Sequence, residues 1–492
     1  MLFSSVEFMF VFLPATIAGY AVFARLFSVR SATVWLIAAS LFFYAYWDAA
    51  LLTLLLGSIV FNFVCGKRLF TERSRALLWA GLCFNVGLLA YFKYAGFFVE
   101  NVESALGVEI ANLDIVLPLA ISFFTFQQIA YLADVYQGKA VEPDFFSYVL
   151  FVSFFPQLIS GPIVHHSEMM PQFANNERRW MRRDLIVPAL GFLVMGLYKK
   201  VVLADGVAPI ADQVFDASIT GVPSMTDAWI GTLAYTFQIY FDFSAYSDMA
   251  IGIALLFGIR LPLNFNSPYR AVNIIDFWRR WHMTLSRFIR DYIYIPLGGS
   301  RKGGAKRYAN LLIAMLIGGL WHGAGWTFIV WGGLHGVYLI ANHLFRRIYP
   351  VREKQAAWSA WTGRVLTLLA VMIAWVFFRS DDFSSASRML QGMFGMVTGE
   401  PVLSGTRTIF WVGLLLVVVW FLPNSWQVFH RFNPVLVDRS AAASLTDYRA
   451  VPASAIGSKA ILVPLGLAMA VVSILVIIDR GSDTQRFIYM IF

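Results

Sequence analysis

Residues 318–336 read GGLWHGAGWTFIVWGGLHG, an apolar stretch that contains two histidines, His322 and His335. The preceding run LLIAMLIGGLW (311–321) has no charged side chain, so His322 follows a segment suited to a membrane interior. An ionisable side chain at membrane depth is costly and by default marks a functional site. A second interpretation stays open, because a buried histidine also forms hydrogen bonds between packed helices.

The chemistry around His322 favours close approach of a reactant. A neutral imidazole, with an unperturbed pKa of about 6.5, is a suitable general base for a hydroxyl group. Glycine lacks a side chain and lets another backbone or a substrate come close. Four glycines flank the histidine: Gly318, Gly319, Gly323 and Gly325.

The composition places the whole chain in a membrane. Of 492 residues, 59% are hydrophobic and only 14% are charged, and the mean hydropathy is +0.66, outside the range of soluble globular proteins. Long apolar runs recur from residues 8–23 to residues 461–478. They predict an all-α polytopic membrane protein with roughly ten to twelve crossings or half-crossings, in one membrane-embedded domain over residues 1–492.

The net charge of +9 is spread over short loops between the apolar runs. Arg25 and Arg30 follow the first run, and the positive-inside rule places their loop in the cytoplasm and the N-terminus outside. A nucleic-acid partner is a poor explanation, because the basic residues do not form one domain face. Anionic membrane lipids and an anionic cytoplasmic ligand both stay open as partners.

A basic segment precedes the His322 run. Residues 276–307 contain eight basic and two acidic side chains. Apolar residues recur there at steps of three and four, which predicts a helix at the membrane surface or buried shallowly among others. These apolar residues are Phe277, Trp281, Leu285, Phe288 and Tyr292. The glycine-rich PLGGSRKGG (296–304) lacks the spacing of a nucleotide-hydrolysing loop, although its backbone and bases suit phosphate groups.

The other polar residues have simpler interpretations. His282 follows Trp281, and a packing role or a contact with a lipid headgroup explains it as well as a role in a functional site. Structural roles are the simpler interpretation of His335 and His343. No HExxH or paired-histidine spacing occurs, so no metal site is predicted. Asp242 and Asp248 suggest a cation pathway, but their six-residue spacing does not share one helical face, and a polar kink packed on a tyrosine is the simpler interpretation.

Several long motifs resemble the membrane-bound O-acyltransferase superfamily, in particular its bacterial branch that acetylates polysaccharides. They are FWRRWHMTLSRFIRDYIYIPLGGSR (277–301), GGLWHGAGWTFIVWGGLHG (318–336), SFFPQLISGPIVHHSEMMPQF (153–173) and QIYFDFSAYSDMAIG (238–252). The resemblance extends over nearly the whole chain. It implies a helical bundle with interfacial and re-entrant helices around a central funnel, and a catalytic core segment at residues 260–336.

The resemblance also implies roles for residues and partners. His322 matches the essential histidine of the family, and His282 matches a second polar position of the site. The basic segment would face cytoplasmic acetyl-CoA, the acetyl donor, through Arg279, Arg280, Arg287, Arg301 and Lys302, with no permanently bound cofactor and no metal. The acetyl group would then pass to a periplasmic serine-hydrolase-like partner and finally to an exopolysaccharide of the alginate type. The expected location is the bacterial inner membrane.

Two other classes of function explain the same intramembrane polar residues. A transporter or flippase for a polar substrate needs such residues without any acyl chemistry. A scaffold for an export machine needs no reactive histidine. Acetyl transfer or thioester cleavage that depends on His322 separates the enzyme from both.

Overall fold

The computed structural model describes residues 1–110, 113, 115–140, 142, 144–174, 183–301, 303–349, 356–403, 405–437, 459–480 and 487–488. Throughout these residues the ordered elements are helices, and β-pairing is limited to two isolated bridges, Pro223 with Glu400 and Pro262 with Leu436. The all-α fold expected from the apolar runs is therefore confirmed.

Helices fill the described chain from end to end. Up to residue 198 they are α1 (Leu13–Leu26), α2 (Val29–Ala45), α3 (Ala49–Glu72), α4 (Arg75–Leu89), α5 (Ala95–Leu106), α6 (Ile121–Tyr136), α7 (Phe145–Ser153), α8 (Phe155–Leu158), α9 (His166–Ala174) and α10 (Arg183–Tyr198). After that residue they are α11 (Asp205–Thr220), α12 (Met225–Leu256), α13 (Ile274–Trp278), α14 (Met283–Ile289), α15 (Gly304–His322), α16 (Trp326–Ile348), α17 (Ala357–Arg379), α18 (Phe383–Met393), α19 (Thr406–Phe421), α20 (Ser425–Phe429) and α21 (Lys459–Arg480).

Polar caps set the ends of the apolar helices. Asp48 begins α3 by accepting a hydrogen bond from the backbone N–H of Ala50 at 2.8 Å. Ser28 caps α2 in the same way. Gly107, in the left-handed conformation with φ of 65°, ends α5. These caps meet backbone groups that the first and last helical turns leave without intrahelical partners.

Seven helical segments of the described chain are long and apolar enough to cross a membrane, or eight if a pair bent by 43° counts as one span. Two shorter apolar helices, Val29–Ala45 and Val463–Asp479, accompany them. The seven are Phe8–Leu26, Ala49–Glu72, Arg75–Leu106, Asp184–Thr220, Met225–Leu256, Trp326–Ile348 and Ala357–Arg379. The chain is therefore a multi-pass membrane protein.

In the part of the chain that the structure describes, four π-helical turns interrupt or extend helices, at Phe8–Phe12, Ala90–Tyr94, Lys199–Ala204 and Arg290–Tyr294. A π turn inserts one residue into a helix and often occurs at functional positions. The Ala90–Tyr94 turn joins α4 to α5, and the Lys199–Ala204 turn joins α10 to α11. Both turns bring lysines into the protein interior.

Helix α12 forms the centre of the fold and is buried along its whole apolar length, packed against α10 and α11. Two of its aspartates, Asp242 and Asp248, pair with the lysines of the neighbouring π turn. Lys200 Nζ lies 2.7 Å from Asp242 and Lys199 Nζ lies 2.6 Å from Asp248. The interpretation of Asp242 and Asp248 as a tyrosine-packed kink was therefore incomplete. The partners of the two carboxylates are lysines that lie 42 and 49 positions earlier in the sequence.

The basic segment is not one continuous helix, contrary to the prediction. Helix α13 ends at Trp278, and α14 begins only after His282, whose φ of 39° lies in the left-handed region. The apolar residues keep their spacing across this break, and Phe277 and Trp281 are buried in the core. Periodicity alone could not reveal the break, because the same face turns inward on both sides of it.

Candidate active site

His322 is the last residue of α15 and is 2% exposed. Aromatic rings surround its imidazole from three helices. The ring centroids of Trp321 and Trp331 each lie 4.9 Å from it, and that of Phe378 lies 5.2 Å from it. The imidazole is therefore enclosed in an aromatic cage built by α15, α16 and α17.

Helices α15 and α16 form a tight hairpin because glycines face each other at their contact. A methyl group at Gly319 would lie 2.3 Å from the carbonyl oxygen of Phe328, and one at Gly332 would lie 2.3 Å from that of Met315. A larger residue at either position forces the helices apart. The close backbone approach expected at the glycines beside His322 is thus present at Gly319.

The fold brings the second candidate histidine next to the first. The imidazole centroids of His282 and His322 are 6.5 Å apart, and His282 is completely buried. His282 also packs edge-on against Phe243 of α12 at 4.7 Å. Two histidines 40 positions apart in the sequence therefore lie side by side in the protein interior.

Asn264 holds His282 in its unusual backbone position. The backbone N–H of Met283 donates to the carbonyl oxygen of Asn264, and that of Asn266 donates to the carbonyl oxygen of Arg280, both at 2.9 Å. A left-handed residue other than glycine costs about 1–2 kcal/mol. These two backbone hydrogen bonds, one on each side of His282, offset this cost.

The side chain of Asn264 also determines the tautomer of His282. Its Oδ1 accepts the backbone N–H of Thr284 at 3.3 Å and the hydroxyl of Thr284 at 2.8 Å. That hydroxyl accepts the N–H of Ile163 at 3.0 Å, which directs its own hydrogen towards Asn264. Because Oδ1 can only accept, the contact from His282 Nδ1 at 3.1 Å requires hydrogen on Nδ1. Neutral His282 therefore presents Nε2 as a hydrogen-bond acceptor.

The five basic residues expected to face the donor have different environments. Arg279 and Arg301 are exposed, and Lys302 lies outside the described residues. Arg280 is buried and pairs with Asp276 at 2.8 Å. The described arginines of this group therefore do not all point towards one anionic ligand.

Arg287 belongs to a polar cluster with Glu168, His165, Tyr292 and Asp134. Its guanidinium makes two contacts to the Glu168 carboxylate, at 2.5 and 2.8 Å. The Tyr292 hydroxyl donates to Asp134 at 2.6 Å and lies 3.3 Å from His165 Nδ1. Burial and the nearby Arg287 charge lower the pKa of His165 to about 4, so this imidazole is neutral at physiological pH.

His335 and His343 have structural contacts. His335 is fully buried, and its Nδ1 lies 3.3 Å from Trp278 Nε1. His343 lies 2.9 Å from Arg307. Within the described residues, no group of three histidine, cysteine or carboxylate side chains is arranged to hold a metal ion.

Three residues near the histidine pair were missed from the sequence. Asn264 had no local signal, because its partners are 18 to 20 residues away. Lys93 had a local signal, because it is a charged side chain inside the apolar run FNVGLLAYFKYAGFF (84–98). The third missed residue is Tyr94, which follows Lys93 in the sequence. Lys93 Nζ donates to the backbone carbonyl of Trp321 at 2.6 Å and to that of His322 at 3.2 Å.

Comparison with known protein families gives one match for this region. Residues 136–380 match the model of the membrane-bound O-acyltransferase family. The matched region contains both His282 and His322.

Comparison with curated proteins extends the similarity beyond that region. The chain is 46% identical over 430 residues to a peptidoglycan O-acetyltransferase of Helicobacter pylori, covering 80% of each chain. It is 40% identical over 405 residues to a "probable alginate O-acetylase" of Azotobacter vinelandii, covering 80% of this chain and 78% of the other. A teichoic acid D-alanyltransferase of Streptococcus thermophilus is 25% identical over 286 residues, covering 53% of this chain and 68% of the other.

Proposed function

This chain belongs to the membrane-bound O-acyltransferase family and is an O-acyltransferase, and from that premise we propose that it transfers acetyl groups from cytoplasmic acetyl-CoA across the bacterial inner membrane. A transporter without acyl chemistry, the alternative that the intramembrane polar residues left open, is not supported by this membership. The observation that carries the proposal is the pair of imidazoles, His322 and His282, enclosed 6.5 Å apart.

In the proposed reaction, His322 accepts the proton of an attacking hydroxyl group. The hydroxyl oxygen forms an ester bond with the acetyl carbonyl carbon, and the bond from that carbon to the coenzyme A sulfur breaks. The departing thiolate takes up the proton, which regenerates neutral His322. General acid–base catalysis of this kind contributes about 10²- to 10⁴-fold to a rate.

His282 has a supporting role in this proposal. Asn264 keeps hydrogen on Nδ1 of neutral His282, so Nε2 can accept a hydrogen bond from a reacting hydroxyl or thiol. The aromatic cage around His322 excludes water, which protects the thioester from hydrolysis and strengthens hydrogen bonds inside the site.

For the donor, we propose that Arg279 and Arg301, together with Lys302, contact the phosphates of coenzyme A. Arg279 and Arg301 are exposed and therefore accessible to an anionic ligand. Arg280 and Arg287 would stabilise the fold of the basic segment through their ion pairs with Asp276 and Glu168 rather than bind phosphate.

For the acceptor, we propose a periplasmic serine-hydrolase-like partner that passes the acetyl group to an exopolysaccharide of the alginate type. Peptidoglycan is the second candidate, favoured by the 46% identity to a peptidoglycan O-acetyltransferase. The two alternatives share one membrane reaction and differ only in the final polymer.

The test measures acetyl transfer in membrane vesicles supplied with radiolabelled acetyl-CoA. We expect His322→Ala to abolish the formation of alkali-labile acetyl esters and His282→Ala to lower it by about 10²-fold or more. The control His430→Ala changes an exposed histidine and should leave the rate unchanged. Full ester formation by His322→Ala at the wild-type protein level would refute the proposed chemistry.

A further inference from the structure

The end of α15 has an unusual set of partners. Because the helix stops at His322, its last carbonyl groups have no N–H partners within the helix, and a membrane interior offers no water to replace them. Three consecutive carbonyls are met by two adjacent side chains. The Tyr94 hydroxyl donates to Leu320 at 2.8 Å, while Lys93 donates to Trp321 at 2.6 Å and to His322 at 3.2 Å.

Lys93 has its donors occupied by the protein itself. Besides the two carbonyls, its ammonium lies 3.3 Å from the hydroxyl of Ser122 on α6. An ammonium has three N–H donors, so these contacts account for all of them. The negative end of the α15 dipole further compensates the buried positive charge. Lys93 is thus arranged to hold backbone rather than to contact a substrate.

The helix face that carries Lys93 also contacts the first residue after the turn between α15 and α16. The ring of Phe97 lies 5.8 Å from that of Trp326, the first residue of α16, and Asn101 Oδ1 accepts the indole N–H of Trp326 at 2.8 Å. Lys93, Phe97 and Asn101 are spaced by four, which places them on one face of a helix. This face therefore holds backbone carbonyl groups at the end of α15 and the side chain of Trp326 immediately after the turn.

We propose that Lys93 and Tyr94 are positioning residues, which hold the C-terminus of α15 so that the His322 imidazole is aligned for acyl transfer. The inference rests on the proposed function of His322. Alignment matters because a shift of about 1 Å in a reacting group costs about 10²-fold in rate.

The first measurement compares Lys93→Met, Tyr94→Phe and the control Lys67→Met, which changes an exposed lysine on α3. Initial rates of acetyl transfer are divided by the amount of folded protein. We expect Lys93→Met to lower kcat by about 10²-fold with the KM for acetyl-CoA unchanged. Tyr94→Phe, which loses one neutral hydrogen bond, should lower it by up to about tenfold. Lys93→Arg keeps the charge and should recover part of the loss.

The second measurement does not depend on activity. Diethyl pyrocarbonate acylates neutral imidazoles, and mass spectrometry of the His322 peptide gives the rate of modification. We expect that rate to change at least about threefold in Lys93→Met and to stay at the wild-type value in Lys67→Met.

The outcomes separate the two proposals. Absence of acetyl transfer by the wild type contradicts the proposed function, and the modification rate then decides the positioning role alone. If kcat per folded molecule and the His322 modification rate are both unchanged in Lys93→Met, the positioning role is wrong. The positioning role is also wrong if Lys93→Met lowers only the stability of the protein and the kcat of the folded fraction is unchanged.

Discussion

Replacing Asn264 by leucine tests whether the hydrogen-bond network around His282 matters for the chemistry. Leucine keeps the approximate shape but removes the oxygen that accepts from the Thr284 N–H, the Thr284 hydroxyl and His282 Nδ1. Each buried donor left without an acceptor costs about 1–3 kcal/mol. Since the hydroxyl can rotate to another acceptor, we expect Asn264→Leu to destabilise the fold by about 2–6 kcal/mol.

The same substitution should reduce the rate beyond its effect on folding. Without the acceptor at Nδ1, neutral His282 is free to carry its hydrogen on Nε2, and the left-handed turn loses its side-chain support. We expect the rate of acetyl transfer per folded molecule to fall by about 10²-fold. The assay is ester formation from labelled acetyl-CoA in membrane vesicles, normalised to the folded fraction from fluorescence-detected size-exclusion chromatography.

The matched control is Asn85→Leu. Asn85 is also completely buried, donates to Asn62 at 2.6 Å and to the carbonyl of Gly81 at 2.8 Å, and accepts from Asn62 at 3.2 Å. It lies on α4 and makes no contact with the histidine pair among its hydrogen bonds. The control should lose stability but keep its rate per folded molecule. If Asn264→Leu behaves like Asn85→Leu in both measurements, the tautomer role of Asn264 is wrong.

Three further predictions concern stability. Gly319→Ala should separate α15 from α16, because the added methyl would lie 2.3 Å from the Phe328 carbonyl oxygen, and we expect a loss of about 1–3 kcal/mol, seen as a lower Tm. Lys200→Met leaves the Asp242 charge buried without its ammonium, and should cost about 3–5 kcal/mol in urea or thermal unfolding. The pKa of His165 is lowered to about 4, against 6.5 for a free imidazole, so the unfolded chain binds the extra proton between these values. Tm should therefore fall as the pH drops from about 6.5 to 4, and His165→Asn should flatten that part of the profile.

Each of these three stability predictions has its own control. Gly57→Ala, at a helical position with open space around it, should not lower Tm, and an equal Tm for both glycine variants contradicts the close-packing argument. Lys67→Met is the exposed match for Lys200→Met. A pH profile of Tm that is identical in the wild type and in His165→Asn would show that this imidazole does not contribute.

The membrane character could be predicted from the sequence, and His322 could be singled out as a candidate site residue, because both signals are local. An apolar run long enough for a span is a property of consecutive residues, and a histidine inside such a run stands out by its own desolvation cost. The glycines beside it gave a similar local signal. The structure places these features in the hairpin of α15 and α16, where Gly319 meets Phe328.

The break at His282 could not be predicted from spacing. Apolar residues recur at steps of three and four both before and after it, so the pattern is that of an unbroken helix. The left-handed turn is stabilised by backbone pairing with the segment around Asn264, which lies 18 positions earlier. Helix propensity and the spacing of apolar residues are local properties, so they carry no information about this tertiary backbone pairing.

The partners of the charged residues in the core also could not be predicted from the sequence. Lys93 donates to carbonyl groups 228 and 229 positions away, and Lys200 donates to Asp242, which lies 42 positions away on α12. A sequence shows that such charges need partners, but only the packed fold shows which partners they have. For Lys93, the rule that singled out His322 applied equally and would have marked it as a residue of interest.

The most direct measurement is ester-linked acetate, by mass spectrometry, on the secreted and cell-envelope polysaccharides of a deletion strain complemented with the wild type or with His322→Ala at matched protein levels. We expect one polymer to lose its acetate in the deletion strain and in the His322→Ala strain, and to regain it with the wild type. Loss from an alginate-type polymer or from peptidoglycan identifies the acceptor. If every polymer keeps its acetate in the His322→Ala strain, His322 is not the base for polysaccharide acetylation.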